Sequence, residues 1–432
     1  FHNVLCLSKA KGMDIKMKEL GIIFSGQGSQ YPGMYKDLIS LYPEGKYLFE
    51  KASTICDLDL IDLCSNAPEN TLRETRIAQL STVVYSIAVY KYFLKENGIL
   101  PKFFAGHSVG EYSALIAAKV LSFEEGIHLV NRRGELMQNY VKKGGMLAII
   151  DGNVLDIEEY CKNHSSLEDE IVVSNYNSDN QIIISGTTNQ ISKAKTYFEG
   201  LNISVKPLNV SGGFHSPLMR SIEEPFAKEL TQCNFYPNIN TIFSNVDAEP
   251  YENEDDIRLK LKMQLSKPVL WNNIMHALRR SQVETIIECG PQKTLTNLFR
   301  NVSGIEAYSY LRESEHVRQL LHEKYSCSKC IKDLIERGLT IIACTYNYND
   351  DLETYQNEVI ENGKKLRKLS KNYQIEEFDR LLIQEIISCL LKMLNGKKIS
   401  SDEQRDRLLQ WKNDTSNIKL QTILEEELKR FY

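Results

Sequence analysis

The chain has 432 residues and a mass of 49.6 kDa; 42% of its residues are hydrophobic and 25% are charged. At roughly 150 residues per domain, this length predicts two or three globular domains, and the composition argues against extended disorder. The 52 basic and 57 acidic residues give a net charge of −5, which does not indicate the basic surface of a nucleic-acid-binding protein.

Membrane insertion and secretion are not expected either. The longest apolar runs, such as residues 339–344, are far shorter than a membrane span. Ten cysteines spread over a chain of this length are typical of a reducing cytosol rather than of a disulfide framework. Residues 1–19 lack the apolar core and cleavage site of a signal peptide. Position 1 is not Met, so we expect a trimmed or excised chain. Composition therefore predicts a cytoplasmic, multi-domain enzyme.

The first part of the chain, residues 20–143, alternates short apolar runs with long amphipathic segments. Strands are predicted at 20–28 and 102–106, and each ends at glycine. The helix between them stops at Asn97-Gly98. This alternation predicts a mostly parallel sheet that is covered on both faces.

The segment 144–210 has a different order of predicted strands and helices. It reads as strand, helix, strand, strand, helix and strand, at 146–150, 154–164, 170–177, 181–186, 189–201 and 203–210. This βαββαβ order is the split unit of a ferredoxin-like subdomain. The α/β pattern resumes afterwards, with strands predicted at 241–246 and 283–290, so the subdomain is interpreted as an insertion.

The last part, from about Arg312, is rich in Glu, Lys, Gln and Asn, contains no Pro and shows helical patterns such as 378–396. The predicted fold class is therefore α/β, with an α/β-hydrolase-like body around a parallel sheet, an inserted ferredoxin-like subdomain and a helical C-terminal extension. The predicted boundaries are 1–19 for a lead-in, 20–143 and 211–311 for the body, 144–210 for the insertion and 312–432 for the extension.

The sharpest chemical signal is Gly106-His107-Ser108-Val109-Gly110, a G-x-S-x-G pattern between a predicted strand and a predicted helix. This is the context of a nucleophile elbow, in which a sharp turn presents the Ser hydroxyl. The unpaired N–H groups and the dipole at the start of the helix favour negative charge there. The alternative is a glycine-rich turn whose Ser only caps the helix.

A nucleophilic Ser needs a base, and eight His are available. His215 leads because it lies in a glycine-rich loop after a strand; the alternative is an ordinary loop His. His107 adjoins the Ser but should point elsewhere, and His128 has a helical position typical of a structural residue. No carboxylate stands out as a third member, which favours a Ser–His dyad whose base is oriented by a backbone carbonyl.

Six motifs in chain order resemble malonyl-CoA:acyl carrier protein transacylases and polyketide synthase acyltransferase domains. They lie at 25–34, 106–115, 132–138, 175–186, 212–216 and 264–271. The resemblance runs from about Leu20 to Leu311 and includes the insertion. The region after Arg312 lies outside that pattern; it is similar, less closely, to the helical extension of discrete acyltransferases that serve polyketide synthases in trans.

The resemblance implies roles for individual residues. Ser108 becomes the acylated nucleophile and His215 its general base. The backbone N–H groups of Val109 and Gln27 form the oxyanion hole, and each such donor lowers the barrier by roughly 3–4 kcal/mol. The backbone carbonyl of Gln264 orients the His, which accounts for the missing carboxylate.

Ser122 and Glu125 form a capping box, which predicts the start of a helix. Arg133 lies further along that helix. An Arg on an amphipathic helix is usually a solvated surface residue. In the family, however, the matching Arg binds the free carboxylate of the malonyl group with its planar fork. Arg132 competes for this role, but Arg133 is the residue that aligns with the motif.

Two further positions concern the acyl group. Val109 and Phe214 resemble malonyl-selective rather than methylmalonyl-selective domains, and a bulky Phe opposes an extra methyl group by steric exclusion. Gly212 and Gly213 depart from the His-Ala that is commoner in the family. Asn177 is expected to contact either the substrate or a neighbouring site residue.

The resemblance implies transfer of a malonyl group from malonyl-CoA to the phosphopantetheine thiol of an acyl carrier protein, for polyketide or fatty acid biosynthesis. The alternatives are an acyl hydrolase that clears carrier proteins and a non-catalytic docking module of a synthase. No cofactor is expected. Cys327 and Cys330 form the only C-x-x-C pair and lack the second pair that a zinc site needs.

Overall fold

The computed structural model describes residues 19–139, 144–237, 240–372 and 375–430. It divides them into two compact units. The first consists of residues 19–93 and 101–314, and the second of residues 94–100 and 315–430. The lead-in predicted at 1–19 lies almost wholly outside the described residues.

Two sheets organise the first unit. The strands of the described residues are β1 Glu19–Phe24, β2 Phe103–Gly106, β3 Gly144–Ile150, β4 Ile171–Ser178, β5 Gln181–Thr187, β6 Ser204–Pro207, β7 Thr241–Ile242, β8 Val283–Cys289 and β9 Glu306–Ser309. One sheet has five strands in the order β7-β2-β1-β8-β9, and every neighbouring pair in it is parallel. The other has four strands in the order β4-β5-β3-β6, and its pairs are antiparallel.

The helices of the first unit pack against both sheets. They are α1 Met34–Leu41, α2 Lys46–Cys56, α3 Leu60–Asn66, α4 Glu69–Leu72, α5 Thr75–Asn97, α6 Gly110–Ala117, α7 Phe123–Asn139, α8 Val154–His164, α9 Thr188–Gly200, α10 Arg220–Thr231, α11 Glu254–Met263, α12 Trp271–Arg280 and α13 Thr294–Leu298. The last residues of α5, 94–97, are assigned to the second unit. The capping box forms as predicted, since Ser122 Oγ accepts the Glu125 N–H at 3.1 Å and donates to its carboxylate at 2.7 Å.

Strand β1 is the centre of the parallel sheet. Ile22 lies opposite Phe104 of β2 on one side and Ile287 of β8 on the other. Its side chains from Leu20 to Phe24 are buried, as a strand covered on both faces requires. The β-branched run at the start of the chain therefore becomes the middle of the core.

Helix α5 is the described helix whose length and apolar composition match a membrane span, but 89% of its apolar window is buried inside the fold. Tyr90 packs edge-on against Phe24 and Phe104, each at 5.9 Å between ring centroids. These contacts identify α5 as a core helix of the first unit.

The strand predicted at 241–246 is much shorter than expected, because only Thr241–Ile242 pairs as strand. The Ser244 N–H donates to the Glu249 carbonyl, and the Ala248 N–H donates to the Ser244 carbonyl, each at 3.0 Å. The chain therefore turns away from the sheet at Ser244. This turn directs Asn245 toward the loop that follows β2.

The β4-β5-β3-β6 sheet carries α8 and α9 against its apolar side. The buried residues of this cluster are Leu147, Ile149, Ile157, Tyr160, Cys161, Ile171, Val173, Ile182, Ile184, Ala194 and Phe198. The predicted elements of residues 144–210 occur in the predicted order, although the last strand spans only Ser204–Pro207.

The second unit is helical. Its helices are α14 Ser314–Lys324, α15 Cys327–Cys344, α16 Leu352–Thr354, α17 Glu361–Asn372, α18 Arg380–Gly396, α19 Ser401–Asn413 and α20 Ile418–Leu428, with a π-helical turn at Tyr355–Ile360. The Ile418 N–H donates to the Gly98 carbonyl, and the Leu100 N–H donates to the Ser416 carbonyl, each at 2.7 Å. These bonds explain why 94–100 groups with the C-terminal helices, whereas the sequence prediction placed it in the body.

Candidate active site

The turn between β2 and α6 is a sharp elbow centred on Ser108. Ser108 has φ of 53°, in the left-handed region that L-residues rarely occupy. A Cβ on Gly106 would lie 2.0 Å from the Gly110 carbonyl, and a Cβ on Gly110 would lie 2.3 Å from the carbonyl oxygen of Phe24. Only glycine fits at either position, so the spacing of the motif follows directly from the close approach of backbone to backbone.

His215 lies against this elbow and is hydrogen-bonded to Ser108, the pair predicted as a dyad. The Oγ of Ser108 is 2.7 Å from Nε2 of His215, and Nδ1 of His215 is 2.8 Å from the backbone carbonyl oxygen of Gln264. A carbonyl only accepts, so Nδ1 carries the proton and Nε2 is left as an acceptor for the Ser hydroxyl. Burial, together with the nearby positive charge of Arg133, lowers the pKa of His215 to about 3. The imidazole is therefore neutral at physiological pH, as a general base must be.

Helix α7 brings Arg133 to the same place. Its side chain is 1% exposed, and its Nη2 lies 3.3 Å from Ser108 Oγ. The guanidinium donates from Nη1 to Gln79 Oε1 at 2.7 Å and from Nη2 to Gln264 Oε1 at 3.0 Å. Burial lowers the pKa of Arg133. A buried cation held by neutral amides beside the nucleophile is suited to bind an anionic group of a substrate.

Arg132, the competing candidate, points away from the elbow. It pairs with Glu135 and Glu229 at the surface, and its side chain is 38% exposed. His128 also contacts Glu229, at 3.2 Å. Both residues therefore have the surface ion-pair environment that a helical residue usually has.

The two residues of the predicted oxyanion hole lie in the loops that flank the dyad. Val109 is fully buried directly before α6. Gln27 lies in the loop after β1, and its Oε1 is 3.4 Å from Nε2 of Gln79. Gln79 thus contacts both Gln27 and Arg133. The oxyanion-hole role of Gln27 and Val109 stays a prediction.

The structure pairs Asn177 with a residue of the elbow. Its Oδ1 lies 2.8 Å from Nε2 of His107, and its Nδ2 donates to Gln181 at 2.9 Å. Burial lowers the pKa of His107. Phe214 is 4% exposed, and its carbonyl accepts a hydrogen bond from Ser185 Oγ at 2.6 Å. These contacts place Asn177 and Phe214 around the dyad without showing a contact to substrate.

Two polar residues at the centre of the site escaped the sequence analysis. Asn245 accepts the backbone N–H of Ser108 on its Oδ1 at 2.7 Å. Glu111, which directly follows the G-x-S-x-G pattern, is fully buried and accepts hydrogen bonds from the Asn245 N–H, the Tyr251 hydroxyl and the Gln264 amide. Burial raises the pKa of Glu111 to about 7. The signal that could have found Glu111 is a charged residue on a helix whose other positions are all apolar or small.

Comparison with known proteins identifies the family of the chain. A family model described as acyl transferase domain matches residues 22–307. A malonyl-CoA–acyl carrier protein transacylase of Bacillus subtilis is 36% identical over 350 residues, which cover 79% of this chain and 86% of the relative. The polyketide biosynthesis malonyl-CoA–acyl carrier protein transacylase BaeC of Bacillus velezensis is 36% identical over 285 residues, which cover 65% of this chain and 96% of the relative.

Solved structures give the same result. The crystal structure of FabD from Acinetobacter baumannii is 32% identical with a TM-score of 0.67, and the match covers 71% of this chain and 98% of that one. A malonyl-transacylase solved in complex with its type II polyketide synthase acyl carrier protein is 32% identical with a TM-score of 0.65, and the match covers 68% of this chain and 96% of that one. The chain has a mixed α/β fold with a parallel sheet that matches this group, and it belongs to the acyl transferase family.

Proposed function

We propose that the protein transfers a malonyl group from malonyl-CoA to the phosphopantetheine thiol of an acyl carrier protein, through an ester on Ser108. One observation carries this proposal: Ser108 Oγ lies 2.7 Å from His215 Nε2 and 3.3 Å from Arg133 Nη2. The proposed base, His215, and the proposed carboxylate-binding cation, Arg133, thus both lie within hydrogen-bond distance of the proposed nucleophile, Ser108 Oγ. The relatives named as malonyl-CoA–acyl carrier protein transacylases, including polyketide-associated ones, support the same reaction.

The first half-reaction loads the enzyme. His215 Nε2 takes the proton of Ser108 as its Oγ attacks the thioester carbonyl of malonyl-CoA. The negative charge that develops on the carbonyl oxygen is stabilised by the backbone N–H groups of Val109 and Gln27. The C–S bond then breaks, and the CoA thiolate takes the proton from His215 and leaves as the thiol. Arg133 binds the free carboxylate of the malonyl ester.

The second half-reaction transfers the malonyl group from Ser108 to the carrier protein. The phosphopantetheine thiol gives its proton to His215 and attacks the ester carbonyl. The negative charge that develops on the carbonyl oxygen is stabilised by the same two backbone N–H groups. The C–O bond to Ser108 breaks, and the Ser oxygen takes the proton back from His215. The product is the malonyl thioester of the carrier protein. Neither a metal nor a redox cofactor takes part in the proposed reaction.

The same proposal includes the finer division of the chain. We interpret residues 20–143 and 211–311 as an α/β-hydrolase-like body and 144–210 as a ferredoxin-like insertion. The strand order β4-β5-β3-β6, with α8 and α9 on one side, supports the second assignment. Residues 312–432 are the helical extension. The nine cysteines of the described residues are free thiols, which agrees with action in the cytoplasm.

An acyl hydrolase of the same fold is not favoured. A hydrolase that clears varied acyl chains from carrier proteins gains nothing from a buried cation beside the nucleophile. A buried guanidinium left without its carboxylate partner disfavours neutral acyl groups, since an unpaired polar group in a closed site is costly. The docking-module alternative is not favoured either, because the dyad is assembled.

Intact-mass spectrometry tests the proposal. Incubation of the full chain with malonyl-CoA should add one malonyl group, and Ser108→Ala should add none. Subsequent addition of a phosphopantetheinylated carrier protein should move that mass to the carrier. Release of free malonate in place of transfer would support the hydrolase, and a malonylated Ser108→Ala variant would contradict the nucleophile assignment.

A further inference from the structure

We propose that Glu111 is the positioning residue for malonyl selectivity, because it fixes the side-chain amide of Gln264 with its oxygen toward Arg133. This inference rests on the proposed function and names a determinant of its substrate choice. Glu111 does not reach the substrate site itself. It acts through one intervening side chain.

The two carboxylate oxygens of Glu111 face different partners. Oε1 accepts the backbone N–H of Asn245 at 3.1 Å and the hydroxyl of Tyr251. Oε2 accepts from Nε2 of Gln264. Glu111 is 0% exposed, so no water competes for these oxygens and the carboxylate has a fixed position.

The amide of Gln264 is consequently held in one orientation. Its Nε2 donates to Glu111 and also to the backbone carbonyl of Ser108 at 2.9 Å. Its Oε1 is left to accept from Nη2 of Arg133 at 3.0 Å. The inverted amide would place an NH₂ group against the guanidinium, where two donors would oppose each other.

Arg133 depends on this orientation because its other hydrogen bonds are few. Nη1 is held by Gln79, and Nη2 by Gln264 and the Ser108 hydroxyl. The Nε of Arg133 is buried without a hydrogen-bond partner among the described residues. Loss of the Gln264 acceptor would therefore release Nη2, the guanidinium nitrogen that lies nearest Ser108 Oγ.

The substitution Glu111→Gln isolates this effect because it keeps the size and replaces one of the two acceptor oxygens by a donor NH₂ group. A Gln side chain must turn its NH₂ either toward the Asn245 N–H or toward Gln264 Nε2. The backbone N–H is fixed, whereas the Gln264 amide can flip by half a turn when it gives up its bond to the Ser108 carbonyl. The expected outcome is a flipped Gln264 that presents Nε2 to Arg133 and displaces the guanidinium.

The readout is a ratio of two rates, namely the initial rates at which Ser108 of the full chain is acylated by malonyl-CoA and by acetyl-CoA, followed by intact mass. Acetyl has no carboxylate for Arg133 to bind, so displacement of the guanidinium lowers the malonyl rate preferentially. We expect the malonyl-to-acetyl ratio of Glu111→Gln to fall at least tenfold. A smaller fall overturns the inference, since a merely structural defect would slow both substrates alike.

The matched control is Glu288→Gln, a second fully buried carboxylate of the same unit. Glu288 accepts from Ser25 and from the first turn of α13, so its loss should leave the ratio within threefold of wild type. A tenfold fall in this control overturns the assignment to Glu111. Absence of any malonylation in the wild-type protein would instead refute the proposed function.

Gln264→Met tests the same route at the intervening side chain and needs no change at Glu111. Met retains the length of the side chain and the backbone carbonyl that holds His215, but it cannot accept from Arg133. It should lower the ratio by at least tenfold as well. In the double variant the ratio should stay within threefold of that of Gln264→Met; a further fall would mean that Glu111 acts by another route and would overturn the inference.

Discussion

Nδ1 of His215 lies 2.8 Å from the backbone carbonyl oxygen of Gln264. The proposed general base is thus oriented by a peptide group, where Ser hydrolases with a triad use a carboxylate. Substitutions of the Gln264 side chain leave that acceptor in place. The orientation of the base and the binding of the substrate carboxylate are therefore separable properties of one residue.

The first prediction concerns pH and acylation. Because burial and Arg133 lower the pKa of His215 to about 3, the base stays unprotonated throughout the mildly acidic range. The initial rate of Ser108 acetylation at saturating acetyl-CoA, which does not depend on the contacts from Glu111 through Gln264 to Arg133, should change less than about twofold between pH 7.5 and 5.5. A His with its ordinary pKa near 6.5 would lose about tenfold over the same interval. Quenched-flow sampling with intact-mass detection distinguishes these outcomes, and an acid limb near pH 6.5 contradicts the prediction.

The second prediction concerns the guanidinium. Arg133→Ala should lower the rate of malonylation by at least about 10³-fold while acetylation falls far less, because a polar partner contributes much more discrimination than a methylene does. Arg132→Ala is the matched control, since Arg132 contacts only surface carboxylates in the described structure. Its malonylation rate should remain within about twofold of wild type. Equal losses in the two variants would contradict the assignment of the carboxylate site to Arg133.

The third prediction links stability to pH. Burial raises the pKa of Glu111 to about 7 from 4.5, so its contribution to stability is fully present below pH 4.5 and is lost as the pH rises through 7. Tyr112 and Tyr251, whose pKa values are raised by burial, stay protonated over this range. Glu111→Gln removes the titration. Its free energy of unfolding, relative to wild type, should therefore rise by about 3 kcal/mol between pH 4.5 and pH 8. Urea unfolding at the two pH values measures this, and an equal difference at both would contradict it.

The fourth prediction concerns the strained backbone of the elbow. Ser108→Gly and Ser108→Ala both abolish acylation, but only glycine adopts φ of 53° without steric cost. The Gly variant should be more stable than the Ala variant by about 1 kcal/mol, after allowance for the greater entropy of glycine in the unfolded chain. Urea unfolding of the two inactive proteins gives the comparison. An Ala variant of equal or greater stability would show that the elbow relaxes when the hydroxyl is absent.

Elements with local signals were predictable from the sequence. The G-x-S-x-G elbow follows from glycines that must approach backbone closely. The helix predicted at 154–164 occurs at Val154–His164. The prediction of a strand over the whole of 241–246 was wrong because hydrophobic periodicity does not reveal a turn. In that turn the Ser244 carbonyl accepts a backbone N–H.

The polar interior of the site was predictable only in part. Ser108 and His215 have motif signals, and Arg133 required the family resemblance to be separated from Arg132. Glu111 has only the weak signal of a charge on an otherwise apolar or small-residue helix, and Asn245 has none, because the side-chain partners of both lie more than 130 residues away in the chain. Contacts of that separation depend on the packing of the whole unit rather than on local pattern.

The register of the central strand has a consequence for biosynthesis. β1 lies at residues 19–24, yet one of its two neighbours is β8, in which Cys289 pairs with Phe24. At 5–20 residues per second, the ribosome needs roughly 15–50 s to add that second neighbour. During this time the apolar helix α5 also lacks Tyr310, which packs against Phe93 with 5.3 Å between ring centroids. The nascent unit therefore remains open along the β8 side of β1 until nearly all of that unit has been made.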